Sequence, residues 1–338
     1  MASIPSIAVL GASGHTGRFV VDGIEALGAY AIPVTRTGSF VGRDGRALQG
    51  RPLDISNPAL DEALRGAHAV INCAGPFFDT AEPAALAAIR AGIPYLDVAA
   101  EQWTTRRLFD RLQEAASDAR VVVAPAVAFY GGLADLLVSA LVGSSPAVDA
   151  IEIAVGLDSW QPTLGTRKTG DRNQHARLVV RDGELVPVPT ALPATQWTFS
   201  APFGAQPVQI VPMSEIVLLA RHLRARSITS YMNLKPLQDL RDASTPPPDA
   251  ADHRGRSGQQ FVLEARVSRG GVERRAHAFG QDIYAASATL VVQACLDILA
   301  SAPGMSGVRA IGEVLEPRSL LHGLAPDIVT HLDDPLDG

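Results

Sequence analysis

The chain has 338 residues, enough for about two domains of roughly 100–200 residues each and for a buried core that needs no disulfide or metal staple. Hydrophobic residues make up 47% and charged residues 19%, which excludes a disordered or collagen-like chain. The net charge is −6 and no arginine-rich block is flanked by aromatics, which argues against nucleic acid as a partner.

Two cysteines, Cys73 and Cys295, are too few for a disulfide scaffold or a cysteine zinc site and predict a reducing compartment. The opening Met1-Ala2-Ser3-Ile4-Pro5 has no basic region and no long apolar run, so no targeting segment is expected there. The membrane-like stretch 121–142 is interrupted by Pro125, Gly131-Gly132 and Asp135, short of the about 20 uninterrupted apolar residues that a spanning helix needs. A cytoplasmic protein without a membrane partner is expected. Lysine is confined to Lys168 and Lys235 against 27 arginines, a bias that fits a GC-rich genome. No repeat of 20–50 residues is visible.

Strands and helices are expected to alternate through the first 125 residues. Ile7–Leu10 reads as a buried strand, and Thr16–Leu27 as a helix with Phe19, Val20, Ile24 and Leu27 along one face. Ala31–Val34 is the second strand, and Arg43–Leu48 around Asp44-Gly45 reads as a small hairpin. Asn57-Pro58 predicts an N-cap for a helix over Ala59–Leu64. Ala69–Cys73 is the next strand, and Asp79 with Glu82 predicts a capping box for a helix through Ala91. Tyr95–Val98, a helix over Thr104–Ser117 and a strand at Val121–Ala124 complete the series. This rhythm predicts a doubly wound α/β parallel sheet, a Rossmann domain covered on both faces.

After Ala126 the pattern changes. Ile151–Leu157, Ala176–Val180, Thr195–Phe199, Val208–Val211, Ser227–Met232, Phe261–Ser268 and Val272–Ala278 read as strands, with Asp182-Gly183 and Gly270-Gly271 as hairpin turns. Only Leu133–Val142 and Ser214–Leu223 read as helices between them, so an α+β domain with a mainly antiparallel sheet is expected. Thr245-Pro246-Pro247-Pro248 opens an extended loop. Asp282 is expected to cap an apolar helix over Ile283–Ala300, and the acidic tail Thr330–Gly338 reads as loose. The expected division is 1–128 with 282–338 as the dinucleotide-binding domain and 129–281 as the substrate domain.

The chemistry sits in Gly11-Ala12-Ser13-Gly14-His15-Thr16-Gly17, where a strand ends in a glycine-rich turn and a helix begins. Gly11 permits the tight turn, Gly14 lets the backbone approach a pyrophosphate, and Gly17 lets helix and strand pack closely. The helix N-terminus presents unpaired N–H groups to the phosphates. Three glycines alone are weak evidence, but the strand–turn–helix setting makes them a dinucleotide signature. A carboxylate ending the second strand would bind the ribose of NAD, whereas Val34-Thr35-Arg36-Thr37-Gly38 has no acid and offers Arg36 to a 2′-phosphate. NADP is therefore favoured, with NAD as the alternative. The expected cofactor contacts are Gly11, Ser13, Gly14, His15, Thr16, Gly17, Thr35, Arg36, Asp54, Cys73, Ala74, Gly75, Pro76, Phe77 and Asp97. Cys73 reads as a small buried strand residue rather than a nucleophile, because no paired histidine lies near it in sequence.

In the second domain the polar, glycine-punctuated stretch from Trp160 to Asn173 reads either as a loop holding an anionic or carbonyl-bearing substrate or as an exposed loop with solvated charges. Tyr130, Lys168 and Glu101 are the candidate proton donors, with Arg167 and Asn173 as substrate binders. Glu101 has two further readings, orienting the donor or holding the carboxamide end of the cofactor. His175 and His222 read as surface or helix-face residues. No histidine pair has metal-ligand spacing and no G-x-S-x-G elbow occurs, so no metal site and no serine nucleophile are expected.

The Gly11–Gly17 turn, the segments Val70–Phe77 and Tyr95–Glu101, and the strand end led by Pro125 resemble the saccharopine dehydrogenase-like NAD(P)-binding proteins, a group that includes trans-acting enoyl reductases. The resemblance covers roughly residues 5–140 and returns at Gly280-Gln281-Asp282-Ile283-Tyr284. It implies a dinucleotide-dependent oxidoreductase with an inserted α+β substrate domain and a late helix that returns to the nucleotide domain. It implies hydride transfer to a small C=N, C=O or C=C substrate, not saccharopine in particular. The glycine turn with His-Thr is also similar to the NmrA-like proteins, which makes a non-enzymatic NADP sensor the alternative. The antiparallel sheet of the second domain offers a surface for a homodimer.

Overall fold

The computed structural model describes residues 4–43, 45–54, 59–189, 194–301 and 304–336. The chain divides into two compact units, 1–128 with 287–315 and 129–286 with 316–338.

In the first unit β1 (Ser6–Leu10) runs into α1 (His15–Ala26) and returns as β2 (Tyr30–Thr35). A two-stranded hairpin, β3 (Ser39–Val41) and β4 (Ala47–Gln49), precedes β5 (Arg51–Pro52), which pairs parallel with β2. Then follow α2 (Ala59–Ala63), β6 (Ala69–Asn72), α3 (Phe77–Ala91), β7 (Tyr95–Asp97), α4 (Gln102–Asp118) and β8 (Val122–Ala124). All pairings in this sheet are parallel, in the order β8-β7-β6-β1-β2-β5, and Gly307–Val308 adds a strand beside β8. Ile7, Ala8, Val9 and Leu10 are buried on both faces of β1, as a central parallel strand requires. Because β1 lies between β2 and β6, the chain reverses its winding direction there, which is where a doubly wound sheet opens a crevice at its carboxyl edge.

One sequence expectation changes in this unit. The helix α3 begins at Phe77 with Pro76 at its N-cap, so Asp79 sits inside the first turn and forms no capping box. Glu82 instead pairs with Arg107 and Arg111 of α4. Asn57-Pro58, read as an N-cap, and Asp44 lie outside the described residues.

The second unit begins with a π-helical turn, Phe129–Leu133, that leads into α5 (Ala134–Val142). Along the chain follow β9 (Ala147–Leu157), α6 (Leu164–Arg172), β10 (Leu178–Arg181), β11 (Glu184–Pro187), β12 (Thr195–Phe199), β13 (Gly204–Ile210), α7 (Ser214–His222), β14 (Arg224–Asn233), α8 (Leu234–Arg241), β15 (Gln260–Arg269), β16 (Val272–Gln281) and the first residues of α9 (Ile283–Ala300), which from Ser287 onward belongs to the first unit. The nine-stranded sheet runs β11-β10-β14-β9-β15-β16 and closes with Ile328–Leu332, while β13 joins β14 and β12 joins β13. It is antiparallel throughout except at its centre, where β9 and β14 are parallel. One face packs on α5. On the other, β12 and β13 fold Trp197, Phe199 and Val208 over Ala154 and Val262.

Residues 316–338, expected in the nucleotide domain, fall in the second unit, because Ile328–Leu332 pairs antiparallel with β16. The expected loop at Trp160–Asn173 is largely the helix α6, whose N-cap Thr163 accepts a hydrogen bond from the Thr166 N–H at 3.1 Å. The helix α8 was not expected from the sequence. Asp282 does cap α9: its carboxylate accepts from the N–H groups of Tyr284 and Ala285 at 2.9 and 3.2 Å, and from that of Ser257 at 2.7 Å. By length and composition α9 is apolar enough to cross a membrane, a stretch that the sequence reading passed over. Here Leu290, Val291, Val292, Ala294 and Cys295 are buried, and Val292 packs on Gly23 of α1.

Candidate functional site

The glycine turn is built from the backbone outward. Gly11 has φ +74°, and a Cβ there would lie 2.8 Å from the Ala74 backbone, so only glycine fits. The N–H groups of Gly11 and Ala12 donate to the Val34 carbonyl at 2.9 and 3.3 Å, tying the ends of β1 and β2 together. A Cβ on Gly17 would lie 2.3 Å from the Gly11 carbonyl oxygen, so this glycine sets the close seating of α1 on the turn.

Gly14 differs from both. Its φ is −70°, open to any residue, and a Cβ would meet only the Gly11 oxygen at 3.1 Å. That contact is tight, and the turn would have to give by a few tenths of an ångström, but packing presses on Gly14 less than on Gly11 or Gly17. It is exposed at the N-terminus of α1 and has no side-chain cap, which leaves the first-turn N–H groups of that helix facing outward. An exposed glycine at an uncapped helix start fits the close approach of a pyrophosphate.

The other expected cofactor residues lie along the same edge. Ser13, Gly75, Arg36 and Asp54 are exposed, His15, Thr16, Cys73, Pro76 and Phe77 are half-buried, and Ala74 is buried against Gly11. Arg36 follows β2 with no acidic partner among the described residues. The Thr35 hydroxyl, by contrast, donates to the Ser39 carbonyl at 2.8 Å. Burial and the nearby Asp97 charge hold the Cys73 thiol well above its ordinary range, so it carries no thiolate at neutral pH.

Asp97 corrects an expectation. Its carboxylate is fully buried and accepts from the Tyr95 hydroxyl at 2.9 Å, the Ala99 N–H at 3.0 Å and the Ala126 N–H at 2.8 Å. Asn72 extends this network, donating to the Tyr95 oxygen at 3.2 Å and accepting from the Ala74 N–H at 2.9 Å. The side chain thus clamps the ends of β6, β7 and β8 rather than facing a ligand. It also holds Ala126 at φ +57°, a left-handed conformation that alanine rarely adopts.

Glu101, the N-cap residue of α4, is also buried, and burial pushes its carboxyl up to about 7.

In the second unit Tyr130 lies in the π-helical turn, a feature frequent at functional sites. Its hydroxyl is buried without a hydrogen-bond partner, and burial, with the neighbouring Tyr284 and Glu215, keeps it protonated. Glu215 of α7 is 2% exposed. One carboxylate oxygen accepts from the Met213 N–H at 2.9 Å while Oε2 makes no hydrogen bond, and burial pushes the acid up to about 7 against the hydrogen bonds from the Met213 N–H and the Ser230 hydroxyl and the weaker pull of Arg177. The adjacent Ser214 hydroxyl is likewise buried without a partner. Trp160 lies 6.2 Å from the Tyr130 ring and donates its indole N–H to the Tyr284 oxygen at 3.1 Å. Tyr130, Glu215, Ser214 and Arg177 thus form a polar group with donors and acceptors to spare. Sequence reasoning found only Tyr130 among them.

The remaining catalytic candidates separate from this group. The Arg167 guanidinium donates to the carbonyls of Leu240, Asp242 and Thr245 at 3.1, 3.1 and 3.0 Å, fastening the end of α8 rather than awaiting a substrate. Asn173 is the C-cap of α6, and Lys168 is exposed on that helix. His222, read as a surface or helix-face residue, ends α7 and bonds the fully buried Asp135 through Nε2 at 2.7 Å.

Residues 7–124 match the family model of the saccharopine dehydrogenase NADP binding domain. The chain is 27% identical over 284 residues to a bovine saccharopine dehydrogenase-like oxidoreductase, covering 68% of this chain and 65% of that protein. It is 30% identical over 152 residues to the mouse protein of the same description, covering 38% of this chain and 35% of that one. The chain thus spans less than two thirds of the length of these relatives. In fold it is similar to saccharopine dehydrogenase (L-Glu forming) from Saccharomyces cerevisiae, with a TM-score of 0.63 at 12% identity, covering 97% of this chain and 100% of that one. Over residues 7–124 the chain is therefore similar to the saccharopine dehydrogenase NADP binding domain, and over part of their length to the saccharopine dehydrogenase-like oxidoreductases.

Proposed function

We propose that this chain is an NADP(H)-dependent oxidoreductase acting on a small molecule with a C=N, C=O or C=C bond. The observation that carries the reading is the glycine turn: Gly14, exposed at the uncapped start of α1 and held less tightly by packing than Gly11 or Gly17, inside a stretch that matches an NADP-binding domain. Gly11, Ser13, Gly14 and the first turn of α1 would hold the pyrophosphate, and Arg36 the 2′-phosphate. Bound there, the dinucleotide would supply the hydride.

What remains for the protein is to orient the substrate and manage a proton, and the second unit has groups suited to both. Tyr130 keeps its proton and so serves as a hydrogen-bond donor to a polarised carbonyl or imine nitrogen. Glu215, whose carboxyl is held near neutrality, can exchange a proton at working pH, and Arg177 offers a cation to an anionic substrate group. These buried, unsatisfied polar atoms favour catalysis over a purely sensing role, because a sensor has no use for carboxyl and phenol groups left without partners.

The test is to incubate the chain and NADPH with a panel of imines, enoyl thioesters and keto acids and to follow the nicotinamide absorbance. Turnover of one class, with kcat reduced about 10²–10⁴-fold in Tyr130→Phe at unchanged NADPH affinity, supports the assignment. NADPH binding without consumption across the whole panel favours the sensor.

A further inference from the structure

The first unit holds a polar feature that the glycine turn does not use. Glu101 follows β7 and precedes α4, and its side chain is 4% exposed. Oε2 accepts from the Ala100 N–H at 2.9 Å, whereas Oε1 is closed to bulk water and has no hydrogen-bond partner. At the N-cap position a side-chain oxygen would ordinarily accept from an N–H of the first turn, but Glu101 makes no such bond. Three residues on, the Thr104 hydroxyl is 3% exposed and also lacks a partner. One helix turn thus presents an unused carboxylate acceptor and an unused hydroxyl. Buried polar groups in folded proteins are overwhelmingly paired, so two orphans in one turn point to a partner that arrives from outside.

The sheet says where that partner lies. The crevice opens between β1 and β6, and a dinucleotide placed across it has one half on the β2 side and the other on the β6–β7 side. Arg36 directly follows β2 and so marks the adenosine half. Gly11 lies against Ala74 just after β6, and Asn72 of β6 pairs with Asp97 at the end of β7, so the path from the pyrophosphate runs over β6 to the β7 end and Glu101. Asp97 cannot serve a ligand there, because its carboxylate is taken by three internal donors. Val98 and Ala100, the residues flanking this edge, are only half-buried.

The nicotinamide end of the cofactor carries a carboxamide, with an NH2 donor and a carbonyl acceptor side by side. We infer that Glu101 Oε1 accepts a hydrogen bond from the carboxamide NH2 of bound NADP(H) while the Thr104 hydroxyl donates to its carbonyl. Glu101 is then a positioning residue that sets which face of the nicotinamide ring is presented, not a proton donor. This rests on the NADP-binding reading above.

The experiment is a calorimetric comparison of three ligands: NADP+, its 3-acetylpyridine analogue, in which a methyl replaces the amide NH2, and 2′,5′-ADP, which lacks the nicotinamide half. Wild type should bind NADP+ roughly 10–100-fold tighter than the analogue, the scale of one hydrogen bond to a charged group. In Glu101→Ala the two should bind within about threefold of each other, while Glu101→Gln, whose side-chain carbonyl still accepts, should keep most of the preference. All three proteins should bind 2′,5′-ADP alike, which also reports that the variants are folded. A preference that survives in Glu101→Ala, or is missing from wild type, overturns the inference and leaves the cofactor reading standing. Failure of wild type to bind 2′,5′-ADP and NADP+ overturns both.

Discussion

Glu215→Gln is a substitution whose effect on stability should change with pH. In the folded chain burial holds the Glu215 carboxyl at about 7, against an ordinary value of 4.5. Below about pH 4.5 both the folded and unfolded chains carry the proton, and the group is nearly neutral to stability. Between 4.5 and 7 the folded chain keeps a proton that the unfolded chain has released, so stability falls as pH rises through this window. Above about 7 the whole cost is present, about 3 kcal/mol at 1.36 kcal/mol per pH unit. Glutamine has nearly the same shape, can still accept from the Met213 N–H and never ionises. Urea unfolding of the variant should therefore match wild type near pH 4.5 and exceed it by up to about 3 kcal/mol near pH 8. Ligand binding should suffer in the same variant if the free carboxylate oxygen serves the substrate, a trade of stability for function. Parallel pH profiles for the two proteins would refute the placement of Glu215 in a dry site.

The glycine turn gives a paired prediction. Gly14→Val should abolish NADPH binding by calorimetry with circular dichroism unchanged, whereas Gly17→Ala, whose Cβ would sit 2.3 Å from the Gly11 oxygen, should lower the unfolding midpoint by an overpacking cost of about 1–3 kcal/mol. Normal binding by Gly14→Val would reduce the motif to a turn. Arg36→Ala should weaken NADPH by about 1–3 kcal/mol and leave NADH nearly unchanged, and equal losses for both would contradict its role at the 2′-phosphate. Arg167→Ala should destabilise the chain by about 1–3 kcal/mol through three lost carbonyl contacts without altering NADPH affinity, as fluorescence titration can check.

The parallel-sheet unit was legible because its signals are local. Buried runs such as Ile7–Leu10, periodic helices and a glycine turn between them each report on a few adjacent residues. The second unit was legible strand by strand, since Asp182-Gly183 and Gly270-Gly271 mark hairpins with positive φ that the structure shows. Its parallel β9–β14 contact is not readable from pattern, because it joins residues 77 apart in the chain. The stretch at 164–172 has no buried residue, so no hydrophobic stripe announced a helix. Its order comes instead from the Thr163 cap and the Arg167 contacts.

The site was legible only where backbone geometry dictates residue type. Gly11 and Gly17 could be assigned roles because a side chain has no room. Asp97 misled, because an acid at a strand end looks the same in sequence whether it faces a ligand or accepts from two loop N–H groups and a tyrosine hydroxyl. Glu215 gave no signal at all: an acid in the first turn of a helix is an ordinary response to the helix dipole, and only the fold shows it to be buried beside Tyr130.

The central claim, a dinucleotide site built for NADP(H), is tested most directly by calorimetric titration of the full chain with NADPH and with NADH under matched salt. One NADPH should bind per chain, about tenfold or more tighter than NADH, as a charge-assisted contact from Arg36 to the 2′-phosphate requires. Equal affinities for the two cofactors, or no heat with either, would contradict it.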